Sequence, residues 1–318
     1  MESLFGWKEP SSGFDRAGLR ERLRELAARG VYVGGSSWKY EGWVDQIYTR
    51  QRYLTRGKFS KKLFEETCLG EYAEVFPTVC GDFAFYQFPS DAFWAKLFRQ
   101  TPAEFRWGFK APEQITAPVW PVQPRYGALA GLANPTFLDA GLLEMAFLRA
   151  LEPYRERVGV LIFEFGTFAR RTFAGPGDFV KALDPFLAAL PAGWRYAVEI
   201  RNAEFLKPVY FDCLREYNVP HVYNAWTRMP EMGEQMAMAG SRTSELIVAR
   251  ALLKQGRPYE EAVKSFAPYD RVQEVNEPVR KALRELVDVA VVDGQPAFLF
   301  VNNRLEGNSP GTMVAITG

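Results

Sequence analysis

Eight short apolar runs, at 31–35, 78–83, 105–110, 158–165, 195–201, 221–224, 246–250 and 297–302, limit the fold more than any other feature of the chain. Helical patterns separate most of them, at 58–74, 90–100, 136–152, 178–190, 205–217 and 276–290; the link between the sixth and seventh runs, about 230–240, is the weakest. Continuous apolar strands alternating with helices specify a parallel sheet covered by helices, because such strands are buried on both faces. Eight units favour closure over an open doubly wound sheet, and no GxGxxG follows the first run. The expected fold class is therefore α/β, a (β/α)8 TIM-type barrel. A chain of 318 residues with 47% hydrophobic content can bury a core of that size as one unit.

An extra helix at 14–29 precedes the first run. Leu19, Leu23 and Leu26 form its apolar stripe, and Gly30 ends it. The expected organisation is one barrel domain over 1–318. Residues 1–30 form an N-terminal extension whose helix lies under the amino ends of the strands, and 31–318 form the barrel. Helix-to-strand links are short, as at 191–193 and 218–219, while strand-to-helix links are long, at 36–57, 111–135, 166–177 and 251–275. Elaboration on one face places the working site at the carboxyl-terminal mouth, where loops vary without touching the core.

Composition removes several function classes. The formal net charge of +1 gives no global pull toward nucleic acid or an anionic membrane, although a local basic groove stays open. Cys68, Cys80 and Cys213 are odd in number and lack CxxC spacing, so neither a disulfide framework nor a zinc knuckle is expected. The single histidine, His221, rules out paired-histidine metal centres, and no serine sits in a G-x-S-x-G context. No metal and no cofactor are expected. No signal peptide is visible and no apolar stretch approaches membrane-spanning length, so the expectation is a reduced, cytoplasmic protein without a membrane partner.

Polar residues gather where strands end. Trp194, Tyr196, Val198 and Ile200 suit the helix-facing side of the fifth strand, which turns Ala197, Glu199 and Arg201 inward. Gly108 and Lys110 share a face in the third strand, Cys80 and Asp82 in the second, and Val248 and Arg250 in the seventh. The fourth strand ends in Glu164, and the eighth runs into Asn302 and Asn303. Any one such charge suits solvation or structural pairing. Convergence of both signs on one concave mouth is the mark of a ligand pocket. The loop 36–43 brings Trp38 and Tyr40 to the same face, as stacking platforms for a sugar or base or simply as a lid. Arg170 and Arg171 precede a helix start at 175–178, where Asp178 would oppose an anion. His221, next to Pro220 at the bottom of the sixth strand, reads as structural.

Several segments together carry a resemblance: 34–40 with Trp43; Thr78-Val79 with Phe85-Tyr86; 105–112 with Ile115-Thr116; 197–201; and 298–303 with 306–308. The chain resembles the YecE-like family, a domain of unknown function (number 72), over nearly its whole length. The resemblance implies a barrel and no established reaction. Departures from the family pattern are Cys80 in place of Glu, Asp82 in place of Asn, Glu164 in place of Gln, and Asn202 and Leu252 in place of histidines.

The leading functional expectation is a metal-independent enzyme acting on a small polar, anionic or sugar-like substrate. Glu199 would serve as general acid or base, with Lys110 and Arg201 completing the catalytic set. Trp38, Tyr40, Asp82, Tyr86, Glu164, Arg250, Asn302 and Asn303 would contact the substrate. The alternative is a non-catalytic module binding a small ligand, a nucleotide or single-stranded nucleic acid.

Overall fold

The computed structural model describes residues 13–318. Eight parallel strands are hydrogen-bonded in one sheet: β1 (Val31–Gly35), β2 (Thr78–Gly81), β3 (Arg106–Lys110), β4 (Val158–Phe165), β5 (Tyr196–Ile200), β6 (Val222–Ala225), β7 (Ile247–Ala251) and β8 (Ala297–Val301). In these labels the sheet order is β5-β4-β3-β2-β1-β8-β7-β6. The sheet curls into a nearly closed barrel surrounded by helices, as the alternating pattern requires. Its seam lies between β5 and β6, where the Val198 amide donates to the Pro220 carbonyl at 3.0 Å and Val198 bridges His221.

Side chains close the rest of the seam. Asn224 Nδ2 donates to the Ile200 carbonyl at 3.2 Å. Gln235, from the helix Met232–Ala237, accepts from the Asn224 amide and donates to its carbonyl at 3.2 and 2.7 Å. Thr243 Oγ1 accepts from the His221 amide at 2.8 Å and donates to the Val219 carbonyl at 2.7 Å. Backbone groups that a fully closed ladder would pair are thus satisfied by neighbouring side chains, avoiding the cost of leaving them bare.

Strand alternation splits the core in two. Tyr196, Val198 and Ile200 join the outer cluster with Trp107, Phe109, Leu161 and Phe163, against the helices. Cys80, Val160, Ile162, Ala197, Val222, Val248, Phe298 and Phe300 form a separate cluster filling the lumen. Two glycines make room for its rings. A Cβ on Gly108 would sit 2.6 Å from the Phe300 ring, and one on Gly159 would sit 2.4 Å from the Phe298 ring. Between its two ends the lumen is a packed apolar core.

The N-terminal helix runs over Arg16–Ala28, capped by Asp15, whose carboxylate accepts from Gly18 N. It packs against β1 and the helices Lys61–Val75 and Ser309–Thr317, with Leu19 and Leu23 buried. Arg24, Ala27 and Ala28 at its end line a cavity with Tyr32, Pro77, Phe105 and Arg106, beside the amino ends of the first three strands, while Tyr32 stacks on Phe298 at the bottom of the lumen, with ring centroids 4.9 Å apart. Besides single-turn helices, two longer ones without a pattern in the sequence appear, Tyr259–Phe266 and Ser309–Thr317. The second is apolar around most of its circumference, because β1, β8 and three helices cover it, so it shows no 3.6-residue period.

Candidate active site

Five charged side chains meet above Phe300. Glu164 and Glu199 are register partners on β4 and β5, which sets two carboxylates side by side on the inward face. Such neighbours repel unless cations intervene. Arg250, on β7 across the lumen, supplies one: its Nη1 donates to Glu164 Oε2 and to Glu199 Oε2. Arg201 Nη2 lies 2.8 Å from Glu164 Oε2 and 3.2 Å from Glu199 Oε1. Lys110 Nζ lies 3.0 Å from Glu164 Oε1. Glu199 is 0% exposed, Arg250 4%, Lys110 6% and Glu164 7%.

The inward parity of these residues follows from alternation, since Ala197 and Gly108 beneath them face the lumen. Aromatic rings hold the cations from the side. Arg201 stacks on Trp226 with its guanidinium 3.7 Å from the ring centroid, and Lys110 Nζ lies 3.6 Å from the Phe85 centroid. Neither ring carried a role in the sequence reading; each follows its strand by a few residues, which is the signal available there.

Burial by itself would raise the Glu164 pKa, but Arg201, Lys110 and Arg250 outweigh it and hold the carboxyl below the usual carboxylate range. Burial works against the Arg250 charge, yet Glu199 and Glu164 hold that guanidinium protonated well above its ordinary value. Cys80 lies in the lumen below; burial pushes its thiol up to about 11 against the pull of Arg250 and Lys110, so it is protonated at neutral pH. Three cations face two carboxylates, so the buried cluster carries an excess of one positive charge.

A cavity of about 340 Å³ opens beside Glu164, walled by Phe85, Glu113, Thr116, Thr167, Phe168 and Arg171, among others. Asn202 shapes this wall: its Oδ1 accepts from the Phe168 amide at 2.7 Å. Glu113 pairs with Arg125 and accepts from the Tyr126 hydroxyl. Arg171 thus reaches the mouth, whereas Arg170 is outside the wall of this cavity.

The remaining sequence candidates have other surroundings. Trp38 is packed edge-on against Trp107 and Phe83. Tyr40 packs on Trp43 and Tyr269, and burial pushes its hydroxyl up to about 12. The loop therefore folds its aromatics into the outer core, because Trp43 anchors it there fully buried. Asp82 is exposed and lines a different cavity of about 430 Å³ with Ser36, Trp38, Lys39 and Lys96. Tyr86 is half exposed under the Arg125 guanidinium, 4.8 Å from its ring centroid. Asn302 caps the next turn by accepting from Arg304 N and donates to Ser36 Oγ, and Asn303 accepts from Ser309 N at 2.7 Å. His221 is buried against Tyr210, Phe211 and Tyr223, with Nδ1 3.2 Å from Tyr210 Oη.

Among the described residues no group of three or more His, Cys, Asp or Glu side chains is placed to hold a metal ion, and no helix is long and apolar enough to cross a membrane.

No curated protein matches the chain in sequence. Among solved structures, a DUF72 family protein from Thermotoga maritima MSB8 is similar at TM-score 0.58 and 19% identity, over 90% of this chain and 96% of that one. One from Enterococcus faecalis V583 is similar at TM-score 0.58 and 17% identity, over 90% and 94%. At such identities the likeness speaks for the fold. The family model described as protein of unknown function DUF72 matches residues 32–317, and the chain belongs to that family.

Proposed function

We propose that the carboxyl-terminal mouth binds a small anionic molecule and presents Glu164 to it for proton transfer. The observation that carries this reading is the buried excess of cations, Lys110, Arg201 and Arg250 against Glu164 and Glu199. A cluster serving stability alone gains nothing from an uncompensated charge, since well-packed apolar residues do as well or better. Of the five charged residues Glu164 is the one that lines the 340 Å³ cavity, and a carboxylate or phosphate group reaching past it to Lys110 and Arg201 neutralises the excess.

Ligand and proton transfer are then coupled. While three cations hold Glu164 it stays ionised and is a weak base. An anion that draws Lys110 and Arg201 toward itself loosens that hold, so burial raises the Glu164 pKa toward the working range. Glu199, fully buried between Arg201 and Arg250, keeps those guanidiniums in place as a positioning residue. Trp38 is buried and Tyr40 partly buried against neighbouring aromatics, which weighs against their serving as open stacking platforms for single-stranded nucleic acid.

The test is a thermal-shift and calorimetric screen of carboxylates, sugar acids and phosphate esters against the wild type and Lys110→Met. A genuine ligand loses at least tenfold in affinity in Lys110→Met, while Glu164→Gln keeps binding and loses turnover. Equal binding of every anion to wild type and Lys110→Met sinks the proposal.

A further inference from the structure

The lumen has a second charged end. At the amino ends of the strands lies an open recess of about 710 Å³, walled by Tyr32, Arg106, Arg155, Glu156, Trp194 and Arg195, with Phe298 at its floor. Arg106 opens β3 two residues before Gly108, and Arg195 stands two before Ala197, so both share the inward parity of the lumen-filling residues. Inward positions at the closed end of a barrel are ordinarily apolar, because they complete the core. Here the stacked pair Tyr32–Phe298 completes it one layer higher and leaves the arginines below the seal.

Arg106 and Arg195 lack carboxylate partners. Among the described residues Arg106 donates only to the Ala103 carbonyl, at 2.9 Å, and Arg195 makes no ion pair. Arg155 meets only the half-exposed Glu152, at 3.5 Å. Across the recess three guanidiniums face one carboxylate, Glu156. Arg157 nearby has its pKa lowered first by burial and then by Arg106, against the opposing pull of Glu104. Arg50–Asp45, Arg215–Asp212 and Arg284–Glu277 show the pairing that these guanidiniums lack.

We infer that this recess is a second binding site, for a compact, multiply charged phosphate. Planar guanidinium forks match phosphate oxygens two at a time, which lysines cannot do. The open shape suits a hydrophilic anion, and the neighbouring Trp194 and Tyr32 suit an ester carrying a flat group. This site lies at the opposite end of the barrel from Lys110 and Arg201, so it stands or falls separately from the reading of the mouth.

The experiment is calorimetric titration of the full chain with inorganic pyrophosphate and with ADP, at low and moderate salt. The variants are the double substitution Arg106→Gln/Arg195→Gln and, for the other end, Lys110→Met. Both arginines are at least partly exposed, so the double variant should keep the wild-type melting temperature, which is checked first. The expected result is salt-sensitive binding that weakens at least tenfold in the double variant and is unchanged in Lys110→Met. Tighter binding of ADP than of pyrophosphate identifies a phosphate ester; equal binding identifies the inorganic ion. Absence of binding, binding abolished by Lys110→Met instead, or binding indifferent to the double variant overturns the inference.

Discussion

Replacing Arg250 by Met removes the one side chain that bridges Glu164 and Glu199 from across the lumen. The two carboxylates sit in register on neighbouring parallel strands, whose spacing is about 4.8 Å. At an effective dielectric constant of about 20, unit charges at that separation repel by roughly 3.5 kcal/mol. Breaking a buried ion pair from one side typically costs about 3–5 kcal/mol, so the two routes agree. Arg201 still touches both carboxylates, which places the expected loss near the lower figure, about 3 kcal/mol at pH 7.

The sign with pH distinguishes this cause from lost packing. In the wild type the Glu164 pKa is depressed, so its contribution is present above the unfolded-state value of about 4.3 and is lost as pH falls below it. In Arg250→Met that hold weakens, the folded-state pKa rises, and a proton taken up between the carboxylates relieves their repulsion. The gap between wild type and variant should therefore narrow as pH falls from 7 toward 4. Urea denaturation followed by circular dichroism at several pH values measures it. A loss below about 1 kcal/mol at pH 7, or one that does not change with pH, refutes the reasoning.

His221 is the chain's single histidine, so its imidazole resonances are unambiguous. Burial lowers its pKa to about 4, and a proton NMR titration should find the midpoint there; a midpoint near 6.5 would show that it is not buried in the neutral form. Because the unfolded chain binds this proton more readily, stability should fall as pH drops from 6.5 to 4, and His221→Phe should flatten that part of the profile. Gln235→Leu leaves the Asn224 amide and carbonyl without their partners at the seam, at a cost of roughly 2–3 kcal/mol. The Asn224 amide should then exchange with solvent much faster; unchanged exchange would mean that the seam is held by other contacts.

The alternation along 196–200 was enough to tell that Ala197 and Glu199 face inward, and the pair Gly108–Lys110 gave the same for β3. Both rest on the two-residue period of a strand, a local property that any correct fold must respect. Eight apolar runs with helices between them likewise specified the barrel. Local rules do not say which inward residues meet. That Glu164 lies beside Glu199 depends on the register of β4 on β5, and that Arg250 spans to both depends on closure bringing β7 opposite. The aromatic loop shows the same limit. Its composition suited a lid as well as a core segment, and only the packing of Trp43, Trp107 and Tyr269 around it drew Trp38 and Tyr40 inward. Asn302 and Asn303 reached the mouth in sequence, but the turn that follows β8 left backbone amides to be capped, and their side-chain oxygens were closest. Partner identity is set by contacts distant along the chain, and these exist only once the barrel has closed.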